Sequence, residues 1–127
     1  IKRDYGPGIP LLLAQRNHLA EVFVNILQNA REAMQGRGHI WIETSLSEGN
    51  AVTIRITDDG PGIAPEHREQ IFTPYFTTRD KGSGLGLAIV RHNVELYGGR
   101  VRVESELGKG ASFILTFPAR TLIKLRK

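Results

Sequence analysis

The stretch Ala51-Val52-Thr53-Ile54-Arg55-Ile56-Thr57-Asp58-Asp59-Gly60-Pro61-Gly62-Ile63 runs from a strand pattern straight into a glycine-rich turn, with an acid at the join. Its first seven residues are β-branched and partly alternating, which predicts a strand over 51–57. An acid delivered by a buried strand can accept a hydrogen bond from an amino group. Gly60 and Gly62 carry no Cβ, so a flat ring could approach the main chain there. The same letters also read as a tight turn, because Asp-Gly and Pro-Gly are common turn dipeptides. Asp4-Tyr5-Gly6-Pro7-Gly8 repeats the Asp-x-Gly-x-Gly spacing with no apolar run before it, and it reads as a turn.

Upstream, residues 14–34 predict a helix. Leu19, Val22, Phe23, Ile26, Leu27, Ala30, Ala33 and Met34 recur at steps of three and four, the spacing of one apolar face. Asn17 suits its N-cap, and Gly36 and Gly38 stop it. Glu21, Asn25, Asn29 and Glu32 stack in one polar line on the flank. Asparagine is a poor residue inside a helix. An amide oxygen is a hard ligand suited to Mg2+, an amide nitrogen can donate to a phosphate, and Glu21 could orient or deprotonate a nucleophile. A solvated polar face is the alternative. Residues 39–46 predict a strand paired with 51–57 across the hairpin-like 47–50. Residues 1–13 suggest an edge strand running into a loop.

Downstream, residues 64–70 suit one or two helical turns with Pro65 at the start. Residues 71–81, Ile71-Phe72-Thr73-Pro74-Tyr75-Phe76-Thr77-Thr78-Arg79-Asp80-Lys81, show no sustained period and read as a lid or a disordered tract. They end in Gly82-Ser83-Gly84-Leu85-Gly86-Leu87, which opens a helix over 85–97 with Leu85, Ala88, Ile89 and Leu96 on one side and Gly98-Gly99 at its end. Backbone N–H groups at such a helix start favour anions, phosphates above all. The run fits neither the Walker loop nor the dinucleotide fingerprint, and a flexible hinge is the alternative. Strands at 100–105 and 111–117 flank Gly108-Lys109-Gly110, a hairpin turn. The tail from Pro118 reads as an exit from the domain.

Composition narrows the classes. A chain of 127 residues with 40% hydrophobic and 24% charged residues is about one soluble domain, burying roughly two-thirds of its unfolded surface. No cysteine is present, which excludes disulfides, thiolate metal sites and cysteine nucleophiles. The net charge of +4 is scattered and only 7% of residues are aromatic, which argues against nucleic acid and suits a polyphosphate ligand. Ile1 in place of an initiator methionine suggests a piece of a longer chain.

The order of these motifs, from Glu-x-x-x-Asn-x-x-x-Asn-Ala to the final Gly-x-Gly, resembles the ATP-binding domain of sensor histidine kinases. These belong to the GHKL group with gyrase, Hsp90 and MutL. The resemblance runs from about His18 to Phe117 and looks most like the nitrogen-regulation type. It implies an α/β two-layer sandwich, a mixed sheet with helices on one face in the Bergerat-type fold, as a single domain over 1–127 lacking the helical phosphoacceptor domain. It implies ATP and Mg2+ as cofactors, with Asn25 as the metal ligand, Asn29 at the phosphates and Glu21 as the catalytic acid–base group. Asp58 would read the adenine amino group, with Gly60 and Gly62 beside the base. Phe72 and Phe76 would sit at the lid root. Gly82, Gly84, Leu85, Gly86 and Leu87 would close over the phosphates, with Arg79, Lys81 and Ser112 as further contacts. The implied acceptor is a histidine on a separate domain of the same protein, with a response regulator downstream. His18, His39, His67 and His92 read as surface or packing residues. The resemblance further implies a monomeric isolated domain, a dimeric parent kinase and a cytoplasmic site, whether or not the parent chain is membrane-anchored. Another GHKL ATPase, or a nucleotide-sensing anti-sigma-type module, is the alternative.

Overall fold

The computed structural model describes residues 2–5, 16–46, 51–76 and 85–118, with backbone alone for 2–5, 16 and 17. In chain order these form β1 (Lys2–Tyr5), α1 (Arg16–Ala33), β2 (Ile40–Leu46), β3 (Val52–Asp58), two 3-10 turns (Pro65–His67 and Gln70–Phe72), α2 (Gly86–Leu96), β4 (Arg100–Ser105) and β5 (Ala111–Phe117). The strands make one five-stranded mixed sheet in the order β1-β2-β3-β5-β4. Only β1 against β2 is parallel; the other three pairings are antiparallel.

Alternation along the strands decides which face is covered. Val52, Ile54, Ile56 and Asp58 of β3 are buried, while the residues between them are not. Their partners on β5, Phe117, Leu115, Phe113 and Ala111, are buried on the same face. Against that face lie Val22 and Ile26 of α1 and Val90 and Val94 of α2, all fully buried. Burying each such side chain contributes about 1.5–3 kcal/mol. The result is the expected α+β two-layer sandwich, one face of the sheet carrying both helices. The helices run antiparallel: His18 meets Tyr97, Glu21 meets Asn93, and Asn25 meets Gly86.

Three local expectations change. Asp4 lies in β1, paired beside β2, rather than in a turn. Asn17 stands inside α1, which begins at Arg16, so it is not the cap. On α2 the buried residues are Val90, Asn93 and Val94, whereas Leu85 and Leu96 are 36% and 55% exposed. Eleven residues with apolar groups on two sides fit either face; the sheet and α1 select the one carrying Asn93. Among the described residues no helix is long and apolar enough to cross a membrane.

Candidate functional site

Asp58 is the last residue of β3 and is 4% exposed. Its Oδ1 accepts the Gly60 N–H at 2.9 Å, which folds the chain back over the carboxylate. Its neighbour Asp59 points outward instead. Asp59 Oδ1 accepts the His39 N–H at 2.9 Å and Oδ2 meets His39 Nδ1 at 3.0 Å. The His39 backbone bond, then the ring bond, hold the Asp59 carboxyl below its usual range. Adjacent acids thus divide the work: one ties the loop to β2, the other faces the helices.

The β4–β5 hairpin braces this corner. The Gly108 N–H donates to the Pro61 carbonyl at 2.7 Å, and the Ile63 N–H donates to Ser105 Oγ at 2.8 Å. Ser105 Oγ donates onward to the Gly110 carbonyl at 2.6 Å, and the Arg68 guanidinium reaches the Ser105 carbonyl. A Cβ on Gly62 would run into the Glu106 carbonyl. The missing side chain at Gly62 therefore admits the hairpin, and on that side no space is left for a ring. A Cβ on Gly60 would stand 3.1 Å from both Asp58 Oδ1 and Met34 Cγ, so the end of α1 closes the other side.

The second cluster lies where α1 faces α2. Asn25 donates through Nδ2 to the Glu21 carbonyl at 2.8 Å. A carbonyl can only accept, so this bond fixes which end of the amide is oxygen. Oδ1 is then presented to the start of α2, 3.0 Å from where a Gly86 Cβ would be. Among the described residues no side chain caps that helix start, where first-turn N–H groups favour an anion. Asn29 is half-buried one turn along the same flank. Glu21 lies one turn the other way, exposed overall but with Oε1 bonded to Asn93 Nδ2 at 2.9 Å.

The remaining expected site residues divide three ways. Phe72, 6% exposed, meets Phe113 edge-on with ring centroids 6.2 Å apart and is a core residue. Phe76 packs on the His67 ring at 5.3 Å. Leu85 precedes α2, and Leu87 packs against the core, so Leu87 can serve a ligand only through its backbone. Arg79, Lys81, Gly82 and Gly84 lie outside the described residues. Ser112 is a correction: it pairs with Thr57 across β3 and β5, its hydroxyl 2.8 Å from Thr57 Oγ1. That puts it on the face of the sheet turned away from Asp58 and the helices. Ala111, paired with Asp58, holds the position expected for Ser112.

Sequence reasoning missed Asn93, Ala111 and Met34. For Asn93 a signal exists: Val90, Asn93, Val94 and Tyr97 stand at i, i+3, i+4 and i+7. Once the two valines are taken as the buried face, that spacing places the amide among them.

A family model described as "Histidine kinase-, DNA gyrase B-, and HSP90-like ATPase" matches residues 14–121. The chain belongs to this family. Within the ATPase family, the chain is 33% identical to the catalytic domain of histidine kinase ThkA. That structure superposes with a TM-score of 0.77, covering 91% of this chain and 78% of that one. Full-length ShkA in complex with AMPPNP gives a TM-score of 0.80 at 34% identity, over 92% of this chain and 25% of ShkA. Sensor histidine kinase ZraS of Salmonella typhi is 45% identical over 105 residues, which are 83% of this chain and 23% of ZraS. The chain thus spans about a quarter of that relative, and its kinship is with the catalytic part of histidine kinases.

Proposed function

We propose that this domain binds ATP with Mg2+ and delivers the terminal phosphoryl group to a histidine on a separate phosphoacceptor domain of its parent protein. A response regulator then receives the phosphate. The observation that carries this reading is the meeting of Asn25 Oδ1 with the start of α2. It joins a hard oxygen ligand to a set of backbone donors, and it lies on the same side of the sheet as buried Asp58. Base and phosphates would be handled at separate places on that side of the sheet. The AMPPNP bound by the related ShkA supports the nucleotide class.

Among the described residues no three His, Cys, Asp or Glu side chains cluster to hold a metal ion. Mg2+ would therefore arrive with the nucleotide, its other ligands being phosphate oxygens and water. When bound, it would neutralise charge on the phosphates. Asn25 would supply one protein oxygen, Asn29 a donor to the phosphates, and the first amides of α2 a cradle. Glu21 would take the proton from the acceptor imidazole as its nitrogen bonds to phosphorus and ADP leaves. The short lid and the string over 73–78 suit the nitrogen-regulation type of kinase. A dimeric parent with its catalytic domains in the cytoplasm, membrane-anchored or not, completes the proposal.

Two variants test it. Glu21→Gln, assayed by phosphorylation of the acceptor domain, is expected to lower the rate about 100-fold or more while ATP affinity stays within about twofold. Equal losses in both would remove Glu21 from the chemistry. Gly86→Ala separates stability from binding. Alanine is the better helix former by up to about 1 kcal/mol, and the neighbouring Asn25 Oδ1 must yield by a few tenths of an ångström. Thermal denaturation is expected to hold or rise while ATP binds about tenfold more weakly, the worth of one hydrogen bond or so. Unchanged affinity would show that Asn25 and the α2 start do not share a ligand.

A further inference from the structure

A groove of about 390 Å³ lies against the β4–β5 hairpin, with Thr57, Arg68, Glu104, Glu106, Lys109 and Ser112 among the residues that line it. That volume suits a small molecule, and the proposed handling of ATP uses none of these side chains. Thr57 and Ser112 stand side by side on the sheet face turned away from the helices, and Glu104 follows on β4. The two hydroxyls meet at 2.8 Å. One hydrogen lies between them, which leaves the pair a second to offer an outside acceptor.

Both carboxylates of the groove already hold cations. Glu104 accepts from Arg55 at 3.1 Å and from Arg102 at 2.6 Å, and Glu106 pairs with Lys109 at 3.2 Å. Arg68 differs. Among the described residues its guanidinium reaches only the neutral Ser105 carbonyl, and its Nε is buried with no hydrogen-bond partner. A buried donor left unpaired is costly, and native structures ordinarily complete it with an ion, a ligand or an ordered water. Lys109 is a second cation within reach of a ligand. Both ends of its pair with Glu106 are exposed, and such pairs contribute little, so the ammonium can turn to a bound anion.

We propose that this groove binds a small organic anion, a carboxylate or a phosphate ester, and that its occupancy strengthens the hold on ATP. The anion takes the charges of Arg68 and Lys109 and the second hydrogen of the Thr57–Ser112 pair. Held between Thr57 and Lys109, it joins the end of β3 to the hairpin turn. Gly110 lies in that turn against the Asp58 carbonyl, and Thr57 precedes Asp58 in β3. The corner that carries the Asp58 carboxylate is thereby steadied before ATP arrives. The coupling rests on the reading of Asp58 as the adenine contact; binding in the groove does not.

The test titrates the protein, saturated with Mg2+ and AMPPNP so that the nucleotide site is filled, with succinate, inorganic phosphate or neutral succinamide at matched ionic strength. The amide NMR shifts of Thr57, Gly110 and Ser112 report the groove. At least one of the two anions is expected to bind with a dissociation constant of about 1 mM or below, and succinamide is expected not to bind. The tighter anion tells a carboxylate ligand from a phosphate ester. Combining Thr57→Val with Ser112→Ala replaces both hydroxyls by apolar groups, a change that is nearly neutral for stability. That double variant, Arg68→Gln and Lys109→Ala are each expected to weaken the anion, Arg68→Gln by about tenfold or more, the worth of a bond to a charged group. In the reciprocal titration, saturating anion is expected to tighten AMPPNP about fivefold in the wild type and not in the double variant. Neither anion moving those amides, equal shifts from succinamide, or full anion affinity in all three variants would overturn the site. An anion seated in the groove with AMPPNP affinity unchanged would overturn the coupling. Failure of the adenine reading shows separately, as full ATP affinity in Asp58→Asn.

Discussion

Gly110→Ala is expected to abolish ATP binding and to destabilise the domain by about 3–5 kcal/mol. Gly110 has φ +82°, and a Cβ there would overlap the Asp58 carbonyl oxygen, 3.0 Å from its carbonyl carbon and 3.1 Å from Asp59 Cα. These are backbone atoms at the end of a central strand, so no rotamer change can make room. The strand end must shift, and the Asp58 carboxylate shifts with it. Gly108 supplies the control. It sits in the same turn with φ +83°, and nothing lies within 4 Å of where its Cβ would be. Gly108→Ala therefore carries the left-handed backbone penalty alone, about 1–2 kcal/mol. Chemical denaturation of both variants reads the difference. A Gly110→Ala protein within about 1 kcal/mol of Gly108→Ala would show that the hairpin does not set the Asp58 corner.

Asp58→Asn is expected to separate fold from function in the opposite way. Asparagine keeps the volume of this buried side chain, and its amide oxygen can still accept the Gly60 N–H now held at 2.9 Å. Stability is expected to fall by no more than about 1 kcal/mol, the net worth of one ordinary hydrogen bond. A bond from an amino group to a charged acceptor is worth about 1.5–3 kcal/mol. Losing that charge is expected to weaken ATP about 10- to 100-fold by calorimetric titration. Unchanged affinity would place the base elsewhere.

The sequence reveals the frame of the site better than its details, for reasons that can be traced. The strand to Asp58 and the helix of Asn25 announce themselves because burial of one face imposes a period on the chain. Both strands after α2 fall where β-branched runs and glycines place them. The misreading of Ser112 is one of parity. A shift of one residue moves a side chain to the other face of a sheet, and only the pairing of Thr57 with Ser112 and Asp58 with Ala111 decides it. Gly62 illustrates a second limit, since a glycine can make room for a ligand or for the protein itself, and here Glu106 takes that space. Asn93 illustrates a third. Its spacing marks it as buried, but its amide bonds Glu21, 72 residues away in the chain, and no local pattern carries a contact of that range.

On the proposed reading, Asp58 recognises the amino group of adenine while the phosphates are held along α1 and at the start of α2. Its most direct test is a pair of titrations into the unmodified domain with Mg2+ present. One uses ATP, and the other purine riboside triphosphate, which is ATP without its exocyclic amino group. The phosphates and sugar are identical, so the difference isolates the contact to the base. ATP is expected to bind at least about tenfold more tightly, the lower end of a bond to a charged acceptor. Equal affinities would contradict the account.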